Sequence, residues 1–166
     1  MFLKRLGIAL AASAVFAVPA KAKVDPGTPD LLRLIDEYGG TVVYNSAACK
    51  SGEFHGSYVP ATKTITLCYQ GTPGATAHDT VRHEVAHFIQ HCAAIKRGQR
   101  SLFPIADDEY ARSAWIDETL PSRLKATILK VYKPEHHQIE LEAFAMARHY
   151  SAAQMGGFVR QWCDRT

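Results

Sequence analysis

The sequence lacks a C-x-x-C pair, an internal repeat, a low-complexity segment and an apolar run long enough to cross a bilayer. Without a C-x-x-C pair, a structural zinc knuckle is not supported. The apolar run at residues 6–18 has 13 residues and is rich in alanine, which is too short and too weakly apolar for a membrane span. No cysteine follows that run, so a lipoprotein anchor is not indicated either.

The N-terminus instead has the pattern of a signal peptide. Lys4 and Arg5 precede the apolar run, and small residues follow it up to the A-x-A site at residues 20–22. This order predicts cleavage after Ala22, with cleavage after Ala20 as the close alternative. We therefore expect an exported protein, periplasmic or secreted, in which residues 1–22 are removed and residues 23–166 form a single domain.

The mature chain also lacks an excess of charge. The whole sequence has 19 Lys and Arg against 16 Asp and Glu, but Lys4, Arg5 and Lys21 lie in the predicted signal peptide. Removing these three basic residues from the 19 leaves 16 against 16. The mature protein is thus near neutral, and neither nucleic acid nor an anionic membrane surface is expected as a partner.

The hydrophobic and turn patterns predict an α+β domain. It is a small antiparallel or mixed sheet packed on a central helix and followed by C-terminal helices. Residues 98–120 mix loop and short helix, and a substrate-facing segment could lie there. The first predicted element is a helix at 29–40, capped by Thr28 or Asp30. Strands are predicted at 41–49, near 56–59 and at 63–69. Three further helices are predicted: one opened by Thr76 or Asp79 and ending near residue 95, one at 124–132, and one at 135–155 that is broken by Gly156 and Gly157.

The even number of cysteines in an exported protein predicts two disulfides, for which three connectivities exist. We favour Cys49–Cys68, because these residues bracket the predicted hairpin. The remaining pair, Cys92–Cys163, would then pin the C-terminus to the central helix. Free buried thiols are the alternative.

The central helix carries an H-E-x-x-H box formed by His83, Glu84 and His87. Residues four apart lie about 40° apart around a helix, so the two imidazoles share a face and can reach one tetrahedral ion. Glu84 points about 100° away from His83, where its carboxylate can act as general base toward a zinc-activated water. The alternative interpretation is an accidental match on ordinary helix surface. The apolar residues Val85, Ala86, Phe88 and Ile89 argue against it, because they predict a buried helix with charged groups turned inward.

The box and the downstream segment IELEAFAMA resemble the zincin metallopeptidases of the gluzincin type, in which a Glu on a later helix supplies the third metal ligand. The resemblance covers about residues 64–150. It implies a zinc-dependent peptidase that hydrolyses a peptide or protein substrate with water as the nucleophile. The predicted strand KTITLCY, just before the helix, could offer an open edge to such an extended peptide.

Two glutamates compete for the third ligand position. Glu140 and Glu142 lie about 200° apart around a helix, so both cannot face one ion. Glu140 shares its face with small residues, including Ala143 and Ala147, which would allow close approach to the box helix, and the E-x-x-A pattern of several gluzincin families also falls on Glu140. We favour His83, His87 and Glu140 as the zinc ligands, with Glu142 as the alternative to Glu140.

The sequence departs from the gluzincin pattern at one position. Many gluzincins carry an Asp four residues after the ligand Glu, where it orients a ligand histidine, but this chain has Phe144 there. We expect another group to take that place, for example Asp79 or a backbone carbonyl, unless the subfamily differs.

Other polar residues have weaker claims to the site. His91 lies about 12 Å along the helix from His83, too far to share its ion. A hydrogen-bond donor to the oxyanion could come from several residues that sequence does not rank, namely His136, His137, Tyr110, Tyr132 and Tyr150. His136 and His137 are equally well explained as solvated loop residues, and His55 and His78 are expected to have no role in the site.

Two other function classes fit the same residues. A disulfide-stapled, secreted zincin-like binding protein that has lost activity is one, although it would not need Glu84 beside His83. The other is a zinc amidase or hydrolase that acts on non-peptide or cell-envelope bonds, for which no wall-binding module is visible.

Overall fold

The fold is α+β, as predicted, and a three-stranded sheet packs against the helix that carries His83 and His87. The computed structural model describes residues 25–51, 54–69 and 75–165. The predicted signal peptide at residues 1–22, with both cleavage sites, lies outside the described residues. Within the part of the chain that is described, no helix is long and apolar enough to cross a membrane.

Among the described residues, one α-helix precedes three strands, and five α-helices follow them. The strands are β1 (Thr41–Tyr44), β2 (Gly56–Val59) and β3 (Thr64–Leu67). The helices are α1 (Thr28–Glu37), α2 (Ala75–Lys96), α3 (Glu109–Thr119), α4 (Ser122–Val131), α5 (His137–His149) and α6 (Ala152–Trp162).

The sheet has the order β1-β3-β2, with β3 parallel to β1 and antiparallel to β2. The predicted hairpin is formed by β2 and β3, where Tyr58 pairs with Ile65. Because β3 is paired on both sides, the prediction that KTITLCY offers an open edge is wrong. Among the described residues, the edges of the sheet are β1 and β2.

A buried cluster joins the sheet to α1, α2 and α6. Its most buried members include Ile35 on α1, Ile65 on β3 and Phe88 on α2. Helix α5 packs along the other side of α2, where small residues such as Ala143 are completely buried and allow the two helices to lie close together. A second apolar cluster, which includes Ile116 and Ile128, joins α3 and α4 to α5. The helix α2 is therefore enclosed, and polar side chains on it are held inside the protein.

Several predicted helix boundaries are wrong, including the start of the central helix, because Thr76 and Asp79 both lie inside α2. The N-cap of α1 is Gly27, not Thr28 or Asp30; Thr28 lies in the helix and its hydroxyl contacts His78. The long C-terminal helix is broken before α6 by Ser151, which forms a capping box with Gln154. The predicted break at Gly156 and Gly157 is absent, because both glycines lie inside α6.

Both predicted disulfides are confirmed. Cys49 bonds to Cys68 across the end of the hairpin, and Cys92 on α2 bonds to Cys163 just after α6. The second bond joins the C-terminal end of the chain to the central helix, one turn beyond the H-E-x-x-H box. Two disulfides indicate folding in an oxidising, extracytoplasmic compartment.

Candidate metal centre

His83 and His87 project from one face of α2, as their four-residue spacing predicts. Both imidazoles are buried, and their Nε2 atoms lie 3.1 Å apart. The two rings meet edge to face, with 4.6 Å between centroids. Both Nε2 atoms therefore point at the same small volume between α2 and α5.

Glu140 on α5 closes that volume from the opposite side. One carboxylate oxygen lies 3.4 Å from the Nε2 of His83, and the other lies 3.5 Å from the Nε2 of His87. The Glu140 side chain is almost completely buried, with 1% of its surface exposed. Of the two glutamates that compete for the third ligand position, Glu140 is the one that faces the histidines.

The distances within this group suit the ligands of one metal ion. Ligand atoms bound to a tetrahedral ion at 2.0–2.1 Å lie about 3.4 Å apart; here the two Nε2 atoms are 3.1 Å apart, and Glu140 places one oxygen 3.4 Å from His83 and the other 3.5 Å from His87. Neither oxygen of Glu140 accepts a hydrogen bond that meets geometric criteria from the described residues. Burying a carboxylate is costly, and a cation between the three side chains would offset that cost. His83, His87 and Glu140 thus form a buried group that could hold a metal ion.

The charges of the group are strongly coupled. Burial disfavours a charged imidazole, but the carboxylate of Glu140 outweighs it at His87 and raises the pKa of that residue to about 9. At His83, burial prevails and lowers the pKa. The pKa of Glu140 is pulled well below its usual range by the two histidines, against the opposing effect of burial. Without a cation, the group therefore holds a carboxylate beside an imidazolium.

Glu84, the middle residue of the box, is turned toward the sheet and is 1% exposed. It packs on Gly56 at the start of β2, where an added Cβ would lie only 2.8 Å from the Oε1 atom of Glu84. Burial raises the pKa of Glu84 to about 8, with His87 opposing the rise and Glu140 adding to it. A divalent cation nearby would favour the carboxylate and lower this pKa.

Glu142 faces away from the histidines, toward the segment before α3. Its carboxylate accepts hydrogen bonds from the Nε2 of Gln90 at 2.8 Å, the backbone N–H of Ile105 at 2.8 Å and that of Ala106 at 3.2 Å. It therefore anchors a loop, which accounts for a second buried glutamate on α5.

The group that orients His87 is Gln90, whose Oε1 lies 2.9 Å from Nδ1 of His87. Another group thus takes this place at His87, as expected, but it is neither Asp79 nor a backbone carbonyl. Asp79 instead pairs with Arg82, which also donates to the carbonyl of Ala147 at 2.8 Å. The signal for Gln90 was present in the sequence, because residues three apart on a helix are neighbours.

Phe144, at the position where many gluzincins have an Asp, packs on the metal-site histidine His83 with 4.3 Å between ring centroids. It also meets Tyr132 edge to face, at 6.3 Å. An aromatic ring thus restrains His83 by packing, while the Nδ1 of that histidine is buried with no hydrogen-bond partner among the described residues.

Of the three tyrosines singled out from the sequence, Tyr132 is the one beside the centre. Burial, followed by the charges of Glu140 and Glu84, raises its pKa above the usual range, so its hydroxyl stays protonated. That hydroxyl is buried and makes no contact that satisfies hydrogen-bond geometry with the described residues. Tyr110 is 86% exposed on α3, and Tyr150 stacks with Trp115.

The remaining histidines have other contacts. His91 lies 2.7 Å from the hydroxyl of Tyr58, and His78 lies 2.7 Å from that of Thr28. His137 lies 2.9 Å from the carbonyl of Tyr132, so its ring fixes the backbone of that tyrosine. His136 ends a short 3-10 turn before α5, and His55 is exposed beside β2.

Comparisons of the chain with protein-family models, curated proteins and solved structures find no match. The function of the chain is therefore inferred from the buried group of His83, His87 and Glu140 and from the residues around it.

Proposed function

We propose that this chain is an exported zinc-dependent metallopeptidase that hydrolyses peptide bonds with an activated water. The observation that carries the proposal is the burial of Glu84 beside a group of two imidazoles and a carboxylate whose spacing suits one tetrahedral ion. A metal site that served only the fold would not need a second buried carboxylate next to its ligands. The resemblance of the H-E-x-x-H box to zincin metallopeptidases supports the same reaction.

The donor set favours zinc. Two imidazole nitrogens and one carboxylate oxygen are a common set for catalytic zinc and leave a fourth position open. His83, His87 and Glu140 would hold the ion, and bound zinc would polarise both a water molecule and the carbonyl of the scissile bond. The protein's contribution is to supply these donors in a buried and fixed arrangement.

Glu84 is the proposed general base. Its carboxylate takes a proton from the attacking water, and the resulting carboxylic acid then protonates the departing amine. Its burial against Gly56 fixes the position of the side chain, which matters because proton transfer requires hydrogen-bond distance to the reacting atom.

Tyr132 is the proposed donor to the oxyanion that forms on the carbonyl oxygen. Its hydroxyl is neutral, buried beside Glu140 and free of hydrogen bonds that meet geometric criteria with the described residues. A donor held in place before the reaction stabilises developing negative charge without reorganisation. The contact between His137 and the carbonyl of Tyr132 helps to hold this residue.

The substrate class is inferred from the free edge of β2. Among the described residues, β2 pairs with β3 alone, and its first residue, Gly56, lies against Glu84. An extended peptide that adds to this edge would run past the proposed base. The proposed substrate is therefore an extended segment of a peptide or protein, and the proposed compartment is periplasmic or extracellular.

The experiment is to purify the protein without its signal peptide, measure its metal content, and follow the cleavage of an unfolded protein substrate. We expect about one zinc per chain, cleavage that stops when a chelator removes the metal, and recovery when zinc is restored. Zinc binding without cleavage of any member of a peptide library would favour a binding protein. Cleavage of cell-envelope fragments but not of peptides would favour an amidase.

A further inference from the structure

His87 must be kept in the form that can bind a metal, a requirement that rests on the proposed function. A neutral imidazole carries one proton, on either Nδ1 or Nε2. Only the form with the proton on Nδ1 leaves the Nε2 lone pair free to face Glu140 and a cation. A group that accepts a hydrogen bond from Nδ1 selects that form.

Gln90 meets Nδ1 of His87 at 2.9 Å. A glutamine amide can present either its oxygen or its nitrogen, and the hydrogen-bond network decides between the two. The far end of the Gln90 amide lies 2.8 Å from the carboxylate of Glu142 and 3.0 Å from the backbone carbonyl of Ile139. Both are acceptors only, so the amide NH₂ must face them and the oxygen must face His87.

Glu142 is itself fixed in the acceptor role. The backbone N–H groups of Ile105 and Ala106 both donate to its carboxylate, and Gln90 and Glu142 are almost completely buried. Water therefore cannot easily replace any partner in this chain of hydrogen bonds. The direction of every bond, from the backbone of residues 105–106 to His87, follows from groups whose donor or acceptor character is fixed.

We propose that Gln90 is a positioning residue that holds His87 in the tautomer with the proton on Nδ1, and that Glu142 and the carbonyl of Ile139 fix the orientation of the Gln90 amide. In this arrangement Glu142 acts on the metal site through Gln90, without touching the metal. The carboxylate of Glu142 therefore connects the backbone of residues 105–106, through Gln90, to the proposed metal ligand His87.

The test compares two substitutions of Gln90 in the mature protein, with zinc affinity measured by competition against a chromophoric chelator. Gln90→Met keeps the size of the side chain but offers His87 no good acceptor, and we expect zinc affinity to fall about 10- to 100-fold. Gln90→Glu keeps an oxygen facing Nδ1 but sets a second carboxyl group against Glu142. We expect Gln90→Glu to lower the melting temperature at least as far as Gln90→Met does, while its zinc affinity falls less than about tenfold.

A second measurement observes the proton directly. In the zinc-loaded protein labelled with ¹⁵N-histidine, the Nδ1 proton of His87 should be protected from exchange in the wild type and in Gln90→Glu. It should be lost to exchange in Gln90→Met. Arg112→Met is the matched control, because Arg112 donates to the carbonyl of Ala106 at 2.5 Å and so clamps the same loop. This variant should melt at a lower temperature with unchanged zinc affinity and a protected Nδ1 proton.

The outcomes separate the two proposals. If zinc affinity follows the melting temperature across Gln90→Met, Gln90→Glu and Arg112→Met, Gln90 has a structural role only and the inference is overturned. An unprotected Nδ1 proton in the zinc-loaded wild type would overturn it as well. If the wild type binds zinc but Gln90→Met binds it equally well, this inference fails and the proposed peptidase stands. A wild type that binds no zinc overturns both.

Discussion

Glu140 and Glu142, two residues apart on α5, serve opposite sides of the helix: Glu140 faces His83 and His87 at 3.4 and 3.5 Å, whereas Glu142 accepts a hydrogen bond from Gln90 at 2.8 Å. Both carboxylates are buried, so burial alone does not distinguish a ligand from a structural acceptor. The distinction lies in their partners, because Glu142 accepts hydrogen bonds from two backbone N–H groups and from Gln90, whereas neither oxygen of Glu140 accepts one that meets geometric criteria from the described residues.

The first prediction follows from this difference. Glu140→Gln should lower zinc affinity by more than about 100-fold. This exceeds the loss of about 10- to 100-fold that is expected when a residue that contacts a metal ligand, but not the metal, is changed. Glu142→Gln keeps an oxygen that can accept from Gln90, so its zinc affinity should fall less than about tenfold. It should lose about 1–3 kcal/mol of unfolding free energy, because one donor around it is left without an acceptor. Chelator competition and urea unfolding measure the two effects, and the reverse order of affinities would contradict the ligand assignment.

The second prediction concerns the contact between Gly56 and Glu84. A Cβ at residue 56 would lie 2.6 Å from Thr80 and 2.8 Å from Glu84, so Gly56→Ala must displace the proposed base. Hydrolysis should fall about 100-fold, the effect of a misplacement near 1 Å, with zinc content unchanged. Gly157→Ala on α6 is the control, since its Cβ would meet nothing within 4 Å. We expect normal hydrolysis in that variant and a gain of about 0.5–1 kcal/mol in stability. Equal activity in both variants would show that Gly56 does not position Glu84.

The third prediction tests Tyr132. Tyr132→Phe removes a buried hydroxyl without a satisfied hydrogen bond, so the free energy of unfolding should stay constant or rise. If the hydroxyl donates to the oxyanion, kcat should fall about 10²- to 10³-fold while zinc affinity is retained. Steady-state kinetics and thermal unfolding of one preparation give both values. A variant with wild-type kcat would remove Tyr132 from the proposed mechanism.

The fourth prediction concerns pH and stability. Asp25 accepts hydrogen bonds from Ala152 and Gly27 and pairs with Arg82. Burial opposes these effects, yet together they lower the pKa of Asp25 below 3.8. Because the folded pKa is depressed, the stabilisation is present above the unfolded pKa and is lost as pH falls through the folded value.

Asp25→Asn should therefore cost about 2 kcal/mol of unfolding free energy at pH 7, and the difference from wild type should shrink as pH falls below 3.8. Urea unfolding between pH 7 and pH 3 measures this difference. Asp36→Asn, at an exposed position on α1, is the matched substitution for comparison. A constant difference for Asp25→Asn across the range would contradict the assignment of its ion pair.

Local patterns in the sequence predicted much of this site. The four-residue spacing of His83 and His87 fixed their common face, and the small residues beside Glu140 indicated which glutamate could approach them. Both disulfides followed from the even cysteine count and the predicted hairpin. In each case the prediction depended only on the spacing of residues within one helix or on the pairing of an even number of cysteines.

The errors arose where the outcome depended on packing between elements. That β3 is central depends on β1 returning parallel to it, which alternation within a strand does not reveal. The choice of Tyr132 over Tyr110 and Tyr150 required the relative placement of three helices. Two further features were not predicted although the sequence indicates them locally. The helix break at Ser151 is indicated by the capping-box pattern S-A-A-Q at residues 151–154, and the contact of Gln90 with His87 is indicated by its position one turn after that histidine.

The role of Glu84 as general base is tested by measuring zinc content and hydrolysis in parallel in Glu84→Gln, with the exposed Glu118→Gln as control. We expect Glu84→Gln to keep about one zinc per chain and to lose hydrolysis about 10²- to 10⁴-fold, whereas Glu118→Gln should match the wild type in both. Zinc-loaded Glu84→Gln that cleaves its substrate at the wild-type rate would show that Glu84 is not the base and that the proposed mechanism is wrong.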